Sequence, residues 1–316
     1  MTSLSISNFK KKNEKMKKFV MSLVFILAAF FAIDRVGGVV MWWVNQHSHD
    51  LSGPKIKYLA SDVHEDVVLL GTSRCNLHYV PSIISDSIGM SVYNGGIDAS
   101  NNIYAHYVAL THILSHHTPK VVCLDVLTHD FSEQENPFKT ITFFAPYFGR
   151  NEQADSLFRE AGIYWKCRIS HLYRFNAKAS SNIVGLFVNR QIGEDHGYIP
   201  ARKPRQHPCV LEKFDTPTEI DGKKLEYVRR FVDLCRQKSV KLVFVVSPRF
   251  TQVDSTYYDA LKEIARKNDI PFLDYHSSGL YQNHPEYFKD ASHLWDMGAR
   301  LYSSVFASDL KRILNP

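Results

Sequence analysis

The sequence predicts an α/β fold: a three-layer, flavodoxin-like α/β/α domain of about five parallel strands behind an N-terminal transmembrane helix. Three observations predict it. Short apolar runs recur at Val67–Leu70, Ser91–Tyr93, Val121–Val126, Leu242–Val246 and Pro271–Asp274. Residues with helical spacing lie between and after them, and strands alternating with helices imply a parallel sheet covered on both faces. The third observation is the apolar stretch Phe19–Val44, which directly follows a cluster of lysines.

Taken in order, residues 1–18 read as a basic cytoplasmic tail without fixed structure. The net charge of +6 is concentrated here, with six lysines between Lys10 and Lys18. The charge is therefore a topology signal and not a nucleic-acid signature, and no basic stripe with interleaved aromatics occurs elsewhere. Residues 19–44 are long enough to cross ~30 Å of hydrocarbon and read as a retained single-pass anchor rather than a cleaved signal. Trp42 and Trp43 suit the far interface. Asp34 and Arg35 interrupt the stretch, and charges at membrane depth need a partner. The lysine asymmetry puts the rest of the chain outside the cytoplasm, which in a bacterium with two membranes means the periplasmic side of the inner membrane. Residues 45–65, with Gly53-Pro54, read as a linker.

The domain proper is expected over 66–316. Val67–Leu70 is a short, fully apolar strand. After the second strand comes Asn94-Gly95-Gly96. Ile103, Tyr107, Leu110 and Leu114 mark one face of a helix that Pro119 ends. Leu225, Val228, Val232 and Cys235 mark the next helix, Tyr257, Leu261 and Ile264 another, and Tyr302, Phe306, Leu310 and Ile313 the last. Residues 131–215 break the alternation and read as a partly helical insertion, a cap or substrate wall whose aromatics either pack or line a sugar-binding surface. In such sheets ligands gather at the carboxyl ends of strands, so Ser73, the Asn94–Ser100 loop, Thr128–Asp130 and Arg249 should share one rim.

Two short patterns carry chemistry. Gly71-Thr72-Ser73 places a hydroxyl at the end of the first strand. Asp290-Ala-Ser-His293 offers a base and its orienting carboxylate before the final helix. A serine needs such a base because its hydroxyl is a weak nucleophile at its own pKa. Either pattern alone is weak, since Ser73 could simply cap a helix. Asp98 and Asp125 read as structural. Arg249 reads as capping a neighbouring carboxylate, with an anionic substrate as the other possibility. His112 and His116 have i, i+4 spacing without an acidic companion, so they read as a solvated helix face and no metal site is expected. No P-loop or dinucleotide glycine fingerprint is present, and no cofactor is expected. Of the five cysteines, Cys123 and Cys235 read as buried hydrophobes, and Cys167 with Cys209 could pair in an oxidising compartment.

On these residues the chain resembles the SGNH (GDSL-like) hydrolase superfamily over roughly 66–130 and 220–310. It resembles most the membrane-anchored bacterial branch that includes the D-alanyl transfer proteins of teichoic-acid assembly and the alginate O-acetylation proteins. The resemblance implies Ser73 as nucleophile, His293 as base and Asp290 as its partner, with Thr72 where the family usually has Asp. It implies an oxyanion site at Ser73 and the second block, where Ala99 stands in the glycine place beside Gly96. It puts His129 where the family presents an Asn. The implied function is an extracytoplasmic serine esterase or O-acyltransferase acting on acyl esters of envelope carbohydrate or lipid-linked substrates. The Asp34–Arg35 pair could dock a multi-pass acyl-donor protein. A second reading is a non-catalytic scaffold on the same fold within an envelope acylation complex.

Overall fold

A computed structural model of the chain describes residues 2–50, 52–188, 195–202, 209–213, 219–252 and 256–315, with the side chains of 2–11 and 129 outside the description. Helix α1 runs Thr2–His47 without a break and α2 covers Gly53–Ser61. Strand β1 (Val67–Leu70) leads into α3 (Ser73–His78) and α4 (Pro81–Ile88). Then come β2 (Val92–Asn94), α5 (Ile103–His116) and β3 (Val121–Asp125). The stretch before the next strand holds α6 (Glu152–Glu160), α7 (Tyr164–Ile169) and α8 (Ala179–Gly185). Helix α9 (Gly222–Gln237), β4 (Lys241–Val246), α10 (Asp259–Lys267) and β5 (Phe272–Asp274) complete the alternation. A small antiparallel pair, β6 (Phe288–Asp290) and β7 (His293–Leu294), precedes α11 (Asp296–Leu314).

The five strands form one parallel sheet in the order β2-β1-β3-β4-β5, the flavodoxin-like arrangement. Side chains alternate across it. Val68, Leu70, Val122, Leu124, Leu242 and Phe244 pack with α2, α5, α9 and α10. Val67, Leu69, Val121, Cys123, Val243 and Val245 pack with α4 and α11. Within α11, Tyr302, Phe306 and Leu310 are fully buried, and each such side chain contributes about 1.5–3 kcal/mol.

Three sequence expectations change. The tail expected to lack structure is helical from Thr2 onward. The segment 45–65 is not a linker: α2 inserts Ile56 and Leu59 into the main core. Cys167 and Cys209 belong to separate hydrophobic clusters, on opposite faces of the sheet, and none of the five cysteines is in a disulfide. The insertion is partly helical, but its helices pack beside the sheet against α1 and α5. Among its described residues, Glu212 and Lys213, near its end, border the strand-end cleft.

Helix α2 also carries a buried lysine. Lys55 Nζ donates to Gly96 O at 2.8 Å and to Asn76 Oδ1, and Asn76 Nδ2 in turn donates to Asp98 Oδ1 at 2.9 Å. The segment that leaves α1 is thereby bonded to the loop after β2. Burial lowers the Lys55 pKa from 10.5 to about 7. Folding therefore sheds a proton between those two values, and this group's contribution to stability rises with pH across that window. The Tm difference between wild type and Lys55→Met should move in favour of wild type from pH ~7 to pH ~9.5; a flat or opposite trend in a differential scanning series would remove Lys55 from the pH response.

Candidate active site

Gly71 directly follows strand β1, and an added Cβ there would lie 2.7 Å from Cys75 Cβ and 2.9 Å from Asp125 O. Only glycine fits that approach, and the chain turns there into α3. Thr72 is the N-cap, its Oγ1 accepting from the Arg74 N–H. Thr supplies the oxygen acceptor that an N-cap needs. Ser73 then stands at the first position of α3, where its own N–H has no intrahelical acceptor.

The structure brings Ser73, His293 and Asp290 together. Ser73 Oγ–H donates to His293 Nε2 at 2.8 Å. His293 Nδ1–H donates to Asp290 Oδ1 at 2.8 Å and lies 3.0 Å from Oδ2. The carboxylate fixes the tautomer: Nδ1 carries the proton, so Nε2 is free to accept. Burial works to raise the Asp290 pKa, but the hydrogen bonds from His293 and the Ser292 N–H hold it below the usual value. Asp290 is therefore a carboxylate at neutral pH. The residues sit 220 positions apart from Ser73 to His293, and β6–β7 supplies the hairpin that carries both acid and base.

Beneath them lies a buried chain of hydrogen bonds that sequence reading missed. The Leu294 N–H donates to His78 Nε2 at 3.0 Å, leaving Nδ1 to donate to Ser247 Oγ at 3.1 Å. Ser247 Oγ–H donates to Asp125 Oδ2 at 2.9 Å, and its N–H to Oδ1 at 2.9 Å. Arg74 donates to Val126 O at 2.6 Å and Ser247 O at 3.3 Å, and its guanidinium is 3.8 Å from Asp125. Burial, with the nearby Arg74 charge, pushes the His78 pKa well down, so it is neutral. Asp125 is structural, as expected, and so is Asp98. The signal for His78 was present only as a histidine at the end of a short helix.

The oxyanion candidates divide. The Gly96 N–H is taken by Asn94 Oδ1 at 3.0 Å, and a Cβ there would meet Asn76 N at 2.3 Å. Gly96 serves close backbone packing and is not a free donor, which corrects its place in the site. Ala99 has a left-handed backbone, φ 59°, a conformation that favours glycine. Its side chain lines a separate pocket of about 350 Å³ with Phe143, Val184 and Val188. Asn101, two residues on, borders the Ser73 cleft instead. Thr128–Asp130 form a 3-10 turn at the rim, while the His129 side chain lies outside the described residues.

The cleft itself measures about 320 Å³ and is bordered by Ser73, Asn101, Thr128, Lys213, Arg249 and His293, among others. The walls are polar and carry both signs of charge. Arg249 is buried at this rim. His112, expected on a solvated face, is buried and stacked on Phe144, with its pKa lowered by burial to about 4. The insertion covers that face of α5. Asp34 and Arg35 likewise find partners inside the chain: Asp34 accepts from the His171 N–H at 2.8 Å, and Arg35 donates to Ile169 O at 2.9 Å. Both groups of the pair are thus bonded to the insertion.

Two stability measurements probe this arrangement. His78→Ala leaves the buried Leu294 N–H unpaired, at a cost of about 1–3 kcal/mol for that donor alone, and urea unfolding should show at least that loss. Ala99→Gly relieves a left-handed alanine, and should stabilise by about 1 kcal/mol; a loss instead would show that the loop does not hold this conformation.

No protein-family model and no curated protein matches the chain. Among solved structures it is similar to a provisionally assigned acylhydrolase from Bacteroides fragilis NCTC 9343, with 14% identity, TM-score 0.41, and 82% of this chain and 95% of that one covered. A provisionally assigned lipolytic protein of the G-D-S-L family from Desulfitobacterium hafniense DCB-2 gives 11% identity and TM-score 0.35 over 77% of this chain and 97% of that one. An acetyl xylan esterase gives 13% identity and TM-score 0.37 over 77% and 98%.

Proposed function

We propose that this chain is a membrane-anchored serine esterase or O-acyltransferase of SGNH type, facing the extracytoplasmic side of the inner membrane. The observation that carries the reading is the Ser73–His293–Asp290 relay, with Ser73 and His293 both opening into one polar cleft. A half-buried serine hydroxyl bonded to a histidine with a carboxylate behind it is the arrangement that acyl transfer needs. The anchor reading is supported by the apolar helix between Lys12 and His47 and by the lysines before it.

The chemistry follows from the geometry. Ser73 Oγ attacks the ester carbonyl as its proton passes to His293 Nε2. Asp290 stabilises the imidazolium that forms. The Ser73 N–H and the Asn101 side-chain amide are the donors we assign to the developing oxyanion. His293 then protonates the leaving alkoxide, giving an acyl-Ser73 ester and an alcohol. In the second half, water or a sugar hydroxyl gives its proton to His293 and attacks the acyl carbonyl, releasing Ser73. The polar walls with Lys213 and Arg249 suit a carbohydrate or lipid-linked acceptor better than an apolar one.

Full-length protein in detergent should react with a fluorophosphonate probe and hydrolyse 4-nitrophenyl acetate, and Ser73→Ala should lose both. Asp290→Asn should lower kcat by about 10²–10⁴-fold while leaving circular dichroism unchanged. Absence of labelling in folded wild-type protein across pH 6–9 would favour a scaffold role on this fold.

A further inference from the structure

Every residue of α1 from Lys12 to Ile33 is exposed, so this part of the helix is not buried against the rest of the described chain. Its uncharged apolar part, Phe19–Ile33, measures roughly 22 Å at ~1.5 Å per residue, short of the ~30 Å hydrocarbon thickness. The deficit falls where the domain begins. From Asp34 onward one face of α1 packs against the insertion: Leu172 lies against Gly37 and His171 against Gly38. The opposite face stays apolar and open, through Val36, Val39, Val40 and Trp43, residues at one-face spacing.

The insertion meets α1 at the level of Asp34. The Asp34 carboxylate accepts from Ser170 Oγ at 2.5 Å and from the His171 and Leu172 N–H groups at 2.8 and 3.2 Å. Two groups that would be costly at membrane depth are therefore satisfied locally, since Arg35 also holds Ile169 O. At this same level the insertion presents large apolar side chains outward: Trp165 is 69% exposed and Ile169 67%. They are four residues apart on α7, hence on one face. Lys166 and Arg168 are exposed beside them.

We propose that Tyr164–Leu172 is an interfacial membrane element, with Trp165, Ile169 and Leu172 entering the leaflet from which α1 emerges and Lys166 and Arg168 meeting lipid phosphates. The proposal rests on the reading of α1 as a membrane span. Sinking the base of the domain by one to two turns lets the open apolar face of Val36–Val40 complete the crossing. It also removes Trp165 and Ile169 from water, and it brings no unpaired charge with it. The occupant is the bilayer itself, because the patch lies at the level where the exposed apolar part of α1 meets the domain and exposed basic residues stand beside it.

The test uses full-length protein reconstituted in vesicles of phosphatidylcholine and phosphatidylglycerol. Ile169→Cys is labelled with an environment-sensitive dye; the native cysteines are all buried. Lys311→Cys on α11, on the other side of the sheet, is the control, and Trp165→Cys repeats the reading should Ile169→Cys misfold. The label at 169 should be quenched by shallow spin-labelled lipid and shielded from aqueous iodide several-fold more than the label at 311. Equal iodide quenching at both positions, with the protein still resistant to carbonate extraction, overturns the inference and leaves the anchor intact. Release of the protein by carbonate overturns the anchor and this element together.

Discussion

The Asp125 carboxylate, buried where β3 ends, is the constraint around which the strand-end surface is arranged. It accepts both bonds that Ser247 can donate and faces the Arg74 guanidinium, so it joins the ends of β3 and β4 to the start of α3. Through Ser247 it fixes His78, and through His78 the backbone beside His293. Four chain segments that are distant in sequence are thereby held to one geometry. Burying such a charge is costly, and burial alone raises the Asp125 pKa against the pull of Arg74 and Ser247. Removing one partner of such a pair typically costs about 3–5 kcal/mol, which makes the arrangement all-or-none. A serine and a histidine placed on a flexible rim could not hold a 2.8 Å contact without this support.

How much of this was legible depends on whether a local pattern carried it. Val67–Leu70 is buried on both faces and reads as a central parallel strand with no further information. Ser73 and the Asp290–His293 pair were legible because each has a short spacing set by a turn. Lys55 was not legible: nothing in Gly53-Pro-Lys-Ile distinguishes a snorkelling surface lysine from one buried under Gly96. His112 misleads for a related reason, since its i, i+4 pairing with His116 says nothing about which neighbour covers the helix. Phe144, from the insertion, decides that. Asp34 and Arg35 looked anomalous within an apolar stretch, and the anomaly was real, but the partners lay about 135 residues away in a segment of weak periodicity.

Thr72, Gly96 and Ala99 have separate physical characters. Thr72 is conservative, because the cap needs an oxygen acceptor and threonine has one. Gly96 contributes through its missing side chain and not through its amide. Its N–H is spent on Asn94, while the absence of a Cβ lets the backbone of Asn76 come close. Ala99 keeps a left-handed turn that a glycine would hold more easily.

Helix α2 changes what kind of attachment this is. With Ile56 and Leu59 in the core and Lys55 bonded to the loop after β2, no slack chain separates the apolar helix from the sheet. A leash would let the domain sweep a hemisphere and meet dissolved molecules in any orientation. A mast allows one orientation and one height. With α1 seated in a bilayer as proposed, encounters would become two-dimensional, governed by lateral diffusion within a thin layer, and a molecule outside that layer would be beyond reach however well its shape fits the cleft.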